Sequence, residues 1–204
     1  MDVLVNCAAG NFMCAAEELT AKAFRTVIDI DLQGTYNMSA ASLKALSIAT
    51  GPRQRPATAA APLIINISAT LQYKALPFQA HACAAKAGID SLTKTLGLEY
   101  GAEHGVRVVG IAPGPIAGTE GGPTGRVFGA AIAGQEVRDM VPLARWGETH
   151  DIGLSCVYLS SAAGGYVNAE TLVVDGGHWH DASRAFWQGR EFLREMTQQR
   201  RSKL

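Results

Sequence analysis

The sequence predicts an α/β fold in which a doubly wound parallel sheet is covered by helices on both faces. Short β-branched runs alternate along the chain with longer stretches in which apolar residues recur at helical spacing. The short runs are almost continuously apolar, as strands are when both faces of a parallel sheet are buried. Strand followed by helix, repeated, is the pattern of βαβ units.

Four strands are predicted, separated by three helices, within one domain spanning 1–204. The strands are 3–5, 63–67, 106–111 and 172–174. The first helix is predicted over about 20–46, with Thr20 as its N-cap. Its apolar stripe comprises Phe24, Val27, Ile28, Leu32, Tyr36 and Leu43. The second helix is predicted over 80–100, and the third begins near Thr149, taken as its N-cap.

Two stretches fall outside this alternation. Residues 51–62 contain three prolines, which oppose regular structure, and are predicted to form an exposed surface loop. From about 178 onward, aromatic residues are interspersed with charges, which predicts a helical tail packed on a neighbouring surface.

Composition narrows the range of partners. The chain has 18 Lys and Arg against 18 Asp and Glu, so it has no net charge to attract nucleic acid or an anionic membrane. Every apolar run ends well before the ~18 residues that a membrane span needs. The four cysteines are widely spaced and are interpreted as small core residues of a reduced protein. We expect a soluble, non-secreted protein with a small-molecule ligand.

The most informative residue is Asp31, which falls on the stripe of the first helix that should face the core. A buried carboxylate needs a cation or a proton, because burying an unpaired charge costs several kcal/mol. Lys86 is the candidate cation, since it lies near the apolar stripe of the second helix among small side chains. Such a pair could position a cofactor and relay a proton, or it could be a structural ion pair.

Two other segments contain candidate ligands. The third predicted strand runs into Pro113, Gly114, Pro115 and Ile116 and then a glycine-rich loop, at the sheet edge where open α/β sheets bind ligands. His178 and His180 could form a metal pair, but no third ligand is apparent, so we predict no metal site.

Six segments of the chain together match a known family. They are LVNCAAGNF (4–12), TVIDIDLQGTYN (26–37), NISAT (66–70), HACAAKAGID (81–90), APGPIAGTEG (112–121) and LVVDGG (172–177). In these segments the chain resembles short-chain dehydrogenases/reductases and, within them, the peroxisomal 2,4-dienoyl-CoA reductases. The resemblance implies a Rossmann-like fold.

The departures from the superfamily pattern are equally specific. Most members have a tyrosine four residues before the lysine and a serine further upstream, whereas this chain has Ala82 and Ala69 there. The usual asparagine of the preceding helix is replaced by Asp31. Asp with Lys and without Tyr is similar to the peroxisomal dienoyl-CoA reductases, which supports the pairing of Asp31 with Lys86.

The resemblance implies NADPH-dependent reduction of a 2,4-dienoyl-CoA to a 3-enoyl-CoA, with Asp31 and Lys86 as catalytic residues. Asp31 would supply the proton, and Lys86 would hold the nicotinamide ribose and tune Asp31. The implied cofactor-binding residues are Ala8, Gly10, Lys86, Pro113, Gly114, Pro115, Ile116 and Thr119. The implied acyl-CoA-binding residues are Phe12, Thr20, Ala21 and Lys22, where backbone N–H groups at a helix start could meet an anion. A homo-oligomer is also expected.

In this family three strands and a glycine-rich cofactor loop precede the segment LVNCAAG, but only Met1, Asp2 and Val3 precede it here. The resemblance therefore implies an N-terminally truncated chain without the part that holds the adenosine end of NADPH. Three hypotheses stay open: a partial fatty-acid β-oxidation enzyme, a silent chain that associates with full-length subunits, and a reductase of another enoyl or keto compound.

The C-terminal tripeptide Ser202, Lys203 and Leu204 is of the kind that the peroxisomal import receptor reads. Arg200 and Arg201 before it favour a solvated, accessible tail. The sequence therefore predicts a peroxisomal protein that binds this receptor.

Overall fold

The architecture is a four-stranded parallel sheet with helices on both faces. It is seen in a computed structural model, which describes residues 1–47, 61–180, 189–191 and 193–194. The strands β1 (Val3–Asn6), β2 (Leu63–Ile67), β3 (Arg107–Pro113) and β4 (Thr171–Val174) lie side by side in that order. Every neighbouring pair is parallel. The predicted fold class and all four strands are confirmed.

Six α-helices connect or flank these strands in the described residues. They are α1 (Ala21–Val27), α2 (Gly34–Ser47), α3 (Ala80–His104), α4 (Gly129–Ile132), α5 (Val137–Met140) and α6 (Thr149–Ser160). A π-helical segment, Ile28–Gln33, joins α1 to α2, and short 3-10 turns occur at Ala162–Gly164 and His178–His180.

The two faces of the sheet bury separate hydrophobic clusters, because successive side chains of a strand point to opposite faces. One cluster packs β2 and β3 against α2 and α3. Its buried members are Leu46, Ile64, Leu96, Val106 and Val108. The other packs the opposite sides of the same strands against α6. Its buried members are Leu63, Ile65, Val109, Ile111 and Leu159.

The first predicted helix is wrong in one respect, because it is not continuous. The π-helical segment Ile28–Gln33 interrupts it, with the amide of Gly34 donating to the carbonyl of Asp29, five residues back. The Thr35 hydroxyl donates to the Asp31 carbonyl at 2.6 Å and so occupies an acceptor of the regular helix. Such segments inside helices frequently mark functional sites.

The predicted apolar stripe of this helix also needs correction. Phe24 and Tyr36 are 37% and 47% exposed, and the buried side is mostly polar. It comprises Val27, Asp31, Thr35, Ser39, Ser42 and Leu46. The polar members are tolerated because they hydrogen-bond: the Ser39 hydroxyl, for example, donates to the Thr35 carbonyl and accepts from the Asn6 amide.

Two smaller predictions are also corrected. The N-cap of α6 is Glu148 and not Thr149, because Glu148 and Asp151 form a reciprocal capping box at the start of this helix. None of the cysteines is fully buried: Cys7 is exposed and the other three are partly exposed, although Cys156 packs against the cluster under α6.

Strand β1 forms one edge of the sheet in the described part of the chain, since it pairs with β2 alone. Val3 and Val5 stand in register with Leu63 and Ile65 on the side of the sheet that faces α6. They are 37% and 46% exposed, so apolar surface continues beyond the helix that covers this face. A free edge with apolar neighbours is a surface on which another strand can pair.

Several predictions fall on parts that the structure describes only partly or not at all. Residues 48–60, which contain most of the predicted proline-rich loop, lie outside the described residues, as do Ser202, Lys203 and Leu204. In the tail, residues 189–191 and 193–194 are helical. Among the described residues, no helix combines the length and apolarity needed to cross a bilayer.

Candidate active site

Asp31 and Lys86 meet as predicted. Lys86 Nζ lies 3.3 Å from Asp31 Oδ2, and only 10% of the lysine side chain and 1% of the aspartate side chain are exposed. Asp31 comes from the π-helical segment and Lys86 from the first half of α3. A Cβ on Gly88 would lie 2.7 Å from Leu32, so the glycine lets α3 approach the π-helical segment closely enough for the pair to form.

Each member of the pair has a second partner. The amide of Gly10 donates to Asp31 Oδ1 at 2.7 Å, and Lys86 Nζ donates to the carbonyl of Ile67 at 3.1 Å. Both charges are therefore compensated and hydrogen-bonded, which a buried ion pair requires. An ammonium group has three hydrogens, so Lys86 keeps one donor beyond these two contacts.

No hydroxyl side chain stands where the superfamily carries its tyrosine. That position is Ala82, which is 2% exposed and packs inside α3. The hydroxyls of Ser68 and Thr70, on either side of Ala69, are buried and lie near backbone carbonyls, those of Lys86 and Pro113, each at 3.4 Å. The charged side chains that meet at this centre are Asp31 and Lys86.

The segment after β3 borders a cleft of about 490 Å³. Of the predicted cofactor residues, Pro115 and Ile116 line it, together with residues of the β4 end such as Val174 and Asp175. A Cβ on Gly114 would lie 2.5 Å from Asp175, so only glycine permits this approach of the two strand ends. Thr119 turns inward, its hydroxyl donating to the Ile116 carbonyl at 2.8 Å.

Arg145 forms the rim of this cleft with Asp151, its guanidinium donating to both carboxylate oxygens at 2.8 Å. These bonds hold the pKa of Asp151 well below its usual value. Asp151 also caps α6, so the rim of the cleft and the start of that helix are tied together.

The other predicted cofactor residues follow β1. Gly10 contacts the centre directly through its amide, whereas Ala8 is exposed beyond the strand end. Pro113 is the last residue of β3, and its carbonyl accepts the amide of Thr70, which follows β2. The structure therefore brings together the ends of β1, β2 and β3 at one edge of the sheet.

The predicted substrate residues form a less coherent group. Thr20 caps α1 as predicted, its hydroxyl accepting the amide of Ala23 at 3.2 Å. That amide is then not available to an anion, which weakens the prediction of an anion site at this helix start. Ala21 lines an apolar groove of about 600 Å³ with Phe24 and Arg25. Lys22 is exposed and does not line this groove.

Sequence reasoning missed the residues around Phe12, which is 36% exposed. Its ring stacks on His81 with centroids 4.2 Å apart, and its carbonyl is held by the side chains of Gln79 and His81. Both of these side chains are fully buried at the start of α3. A His and a Gln near the start of a helix have no distinctive spacing, so no signal in the sequence identified them.

Two further polar features also escaped the sequence. Tyr73 lies close to Asp90, and burial together with that carboxylate raises the pKa of its hydroxyl well above the usual value. His178 contacts Lys74 across 3.3 Å, and among the described residues no three metal-ligating side chains are gathered.

Comparisons with known proteins identify the family of the chain. The family model for Enoyl-(Acyl carrier protein) reductase matches residues 1–178. A peroxisomal 2,4-dienoyl-CoA reductase [(3E)-enoyl-CoA-producing] of Arabidopsis thaliana is 48% identical over 179 residues, which are 88% of this chain and 58% of that protein. The Saccharomyces cerevisiae protein of the same description is 42% identical over 184 residues, covering 88% and 56%. The chain thus spans less than two thirds of the length of these relatives.

Solved structures show the same fold. A short chain dehydrogenase from Bacillus anthracis has a TM-score of 0.70 and 36% identity, covering 87% of this chain and 64% of that one. A 3-oxoacyl-[acyl-carrier protein] reductase from Brucella melitensis, solved with bound NAD, has a TM-score of 0.71 and 25% identity, covering 87% and 62%. With its parallel sheet, its Lys86 and the match over residues 1–178, the chain belongs to the short-chain dehydrogenase/reductase superfamily.

Proposed function

We propose that the chain carries the acid–base centre of an NADPH-dependent 2,4-dienoyl-CoA reductase, which forms a 3-enoyl-CoA in peroxisomal fatty-acid β-oxidation. The observation that carries the proposal is the buried pair of Asp31 and Lys86 with Ala82 in place of a tyrosine. The names of the Arabidopsis and yeast relatives support the same substrate class and compartment.

The residues at the carboxyl edge of the sheet fit the nicotinamide end of the cofactor. Lys86 retains one ammonium hydrogen that could donate to a ribose hydroxyl, and Pro115 and Ile116 line the adjoining cleft. When bound, NADPH would supply a hydride to the far end of the conjugated diene. That NADPH is the cofactor is part of the proposal; an Agrobacterium tumefaciens dehydrogenase with 31% identity was solved with bound NADP.

The role of the chain's own residues follows from their contacts. Reduction leaves negative charge on the thioester side of the acyl chain, and a proton must then reach the carbon next to the thioester. In the ion pair this proton starts on Lys86 and passes across 3.3 Å to Asp31, which delivers it to the carbon directly or through water; water then reprotonates Lys86. The Gly10 amide fixes the other carboxylate oxygen and so orients the group. For the acyl-CoA, support is limited to Phe12, which is 36% exposed, and Ala21, which lines an apolar groove; the contacts of Thr20 and Lys22 add none.

The absence of a side-chain hydroxyl at Ala82 separates this proposal from reduction of a keto group. A carbonyl oxygen that receives hydride on its carbon needs an acid placed at that oxygen, and the superfamily uses its tyrosine there. Loss of dienoyl-CoA absorbance with equal loss of NADPH absorbance is the direct test. Turnover of keto substrates without turnover of dienoyl-CoA would refute the proposed substrate.

A second candidate function is association with other subunits without catalysis. The free edge of β1 and the exposed Val3 and Val5 favour it, because a strand and an apolar cover from another polypeptide would fit there. Exposed Tyr36 and Met38 on α2 also support the expected homo-oligomer. Titration of the purified 204-residue chain with NADPH, followed by nicotinamide fluorescence and combined with size-exclusion chromatography, tests whether the chain acts alone.

In that titration we expect weak or no binding by the chain alone, because the described groups reach only the nicotinamide end. Micromolar binding by a monodisperse species would contradict this expectation and favour independent catalysis. If the chain associates with full-length subunits, but a chain extended with the cofactor-binding part of a relative does not reduce dienoyl-CoA, the second candidate is favoured.

Peroxisomal import through Ser202, Lys203 and Leu204 is the remaining part of the proposal. A fluorescent protein fused before this chain should be found in peroxisomes. Removal of the three residues should leave the fusion in the cytosol, and replacement of Arg200 with alanine serves as the matched control. A fusion that stays peroxisomal without the tripeptide would show that another segment carries the address.

A further inference from the structure

The backbone at Phe12 is held by two buried side chains that the proposed chemistry does not use. Gln79 Nε2 and His81 Nε2 lie 2.9 and 3.0 Å from the Phe12 carbonyl oxygen. Both side chains are 0% exposed. The rings of Phe12 and His81 are nearly parallel, at 19°, and the Cys14 amide donates to the Phe78 carbonyl at 3.1 Å. Residues 12–14 are thus attached to the start of α3.

This attachment lies two residues from the active centre. The amide of Gly10 donates to Asp31 Oδ1, while the other oxygen of Asp31 faces Lys86. Lys86 and His81 both belong to α3, five residues apart. Asp31 Oδ2 is therefore held by Lys86 of α3. Asp31 Oδ1 is held by Gly10, and the loop that contains Gly10 is attached to α3 through His81.

The chemistry of His81 fits a neutral donor. A carbonyl oxygen only accepts hydrogen bonds, so Nε2 must carry the hydrogen. Burial lowers the pKa of His81, and its Nδ1 has no hydrogen-bond partner among the described residues. Gln79 Oε1 is likewise buried without such a partner. Each side chain therefore directs its donor nitrogen at the Phe12 carbonyl, while its second polar atom stays buried without a partner among the described residues.

We propose that His81, together with Gln79, is a positioning residue for Asp31: by holding the Phe12 carbonyl it directs the Gly10 amide at the Asp31 carboxylate. The Gly10 bond prevents rotation of the carboxylate and so decides which oxygen faces Lys86 and which is presented to the substrate. The inference rests on the proposed function for the role of Asp31, but the structural coupling can be measured without it.

The test uses the ¹⁵N-labelled 204-residue chain and the amide resonance of Gly10. His81→Phe keeps a ring against Phe12 and removes the donor, whereas His81→Gln places an amide N–H near the position of Nε2. Thr93→Val is the matched control, because Thr93 is fully buried on the same helix and its hydroxyl accepts from Asn66 of β2 instead of holding the Phe12 carbonyl.

We expect His81→Phe to shift the Gly10 resonance and to speed its hydrogen exchange at least ~10-fold, because the loop opens locally. His81→Gln should bring the exchange rate back to within about threefold of the parent. Thr93→Val should lower the unfolding midpoint as much as His81→Phe does and leave the Gly10 amide unchanged. An unaltered Gly10 amide in a folded His81→Phe chain would overturn the proposal. Equal changes in Thr93→Val would also overturn it, because the effect would then be global.

The same variants, made in a chain extended with the cofactor-binding part of a relative, give an independent readout. His81→Phe should lower kcat about tenfold with less than about a threefold change in KM, since it misplaces a group that acts in the transition state. His81→Gln should recover most of kcat. If the Gly10 amide responds as expected and dienoyl-CoA is not reduced, the positioning role stands and the proposed function fails. If dienoyl-CoA is reduced and neither readout responds to His81→Phe, the positioning role fails alone.

Discussion

Within the described residues, each end of the sheet buries one lysine or arginine side chain, and the two have different partners. At the carboxyl end, Lys86 lies between the Asp31 carboxylate and the carbonyl of Ile67, the last residue of β2. At the amino end, Arg107, the first residue of β3, donates to three carbonyls. These belong to Leu159, Gly164 and Val167, at 2.8, 2.9 and 3.1 Å.

The difference lies in the partner rather than in the charge. Carbonyl oxygens do not titrate, so Arg107 can only neutralise the partial negative charge at the end of α6 and tie the following turn to the sheet. Burial lowers the pKa of Arg107, but an arginine stays protonated. A carboxylate can take up and release a proton, so the Lys86 end can perform acid–base chemistry. Burial of a cation alone therefore does not indicate a catalytic site.

The largest expected effect is on stability at the amino end. Arg107→Met should lower the free energy of unfolding by about 3 kcal/mol, because several buried carbonyls lose their donor together. Guanidinium denaturation followed by circular dichroism measures it. Arg107→Lys keeps the charge but has fewer donors, so its free energy of unfolding should lie between those of the parent and Arg107→Met. A change below about 1 kcal/mol in Arg107→Met would show that the carbonyls find other partners.

The next effect is on turnover at the carboxyl end. In a chain carrying the complete cofactor-binding part, Asp31→Asn and Lys86→Met should each lower kcat at least ~100-fold with a much smaller change in KM. Each removes one member of the proposed proton-transfer pair. Steady-state kinetics with a dienoyl-CoA measures it, and Arg107→Met serves as a control that loses stability and keeps kcat per folded molecule. Near-normal turnover in both variants would return the pair to a structural role.

The double variant Asp31→Asn with Lys86→Met sharpens the comparison. Either single substitution leaves a buried charge without its counter-charge, and the double substitution removes both. We expect the double variant to be more stable than either single variant, by at least about 1 kcal/mol, while turnover stays low. Additive losses of stability would show that the two charges do not interact. Arg107 offers no such rescue, because its partners are backbone atoms.

A further effect is a pH dependence of the free energy of unfolding, caused by His81 near the carboxyl end of the sheet. Burial lowers the pKa of His81 in the folded chain, with Asp31 as the carboxylate that opposes this shift. The unfolded chain, with a histidine pKa near 6.5, then binds more protons than the folded chain. The contribution of neutral His81 to the free energy of unfolding is therefore full above about pH 7 and is lost as pH falls below ~6.5. Denaturation of the parent and of His81→Gln between pH 5 and 8 measures it. Identical pH profiles would contradict it.

The smallest expected effect concerns a cation at the surface. The side chain of Arg145 is 55% exposed beside Asp151, so water and salt screen this pair. Arg145→Gln should lower the thermal midpoint slightly at low ionic strength and not at 0.5 M salt. A large decrease of the thermal midpoint at both salt concentrations would contradict this. It would show that Arg145 stabilises the rim of the cleft as strongly as Arg107 stabilises the amino end of the sheet.

The strands and the central pair were predictable from the sequence for different reasons. Continuous apolar runs such as 63–67 identify strands because both faces of the sheet are buried, and the structure confirms Leu63–Ile67. Asp31 was identifiable because it falls seven residues after Phe24 and three after Ile28 on the predicted apolar stripe; Asp31 is buried as predicted, although Phe24 is 37% exposed. The family resemblance, not spacing, supplied the roles of Pro113 to Thr119, and two of these residues line the cleft.

The errors arise where polar contacts replace apolar ones. The predicted stripe of the first helix failed at Phe24 and Tyr36, because Thr35, Ser39 and Ser42 are buried on hydrogen bonds that hydrophobic periodicity cannot detect. The cysteines are partly or fully exposed, since composition says nothing about which side of an element faces the core.

The sequence by itself determined the alternation of strands and helices, the superfamily and the pairing of a buried aspartate with a lysine, because each leaves a pattern in the types of residue along the chain. Tertiary structure alone decided the π-helical segment around Asp31, the Gly10 amide on its carboxylate and the grip of His81 on the Phe12 carbonyl. These contacts join residues 21 and 69 positions apart through backbone atoms, which every residue type possesses. Backbone partners leave no trace in residue identity, so only the folded chain shows them.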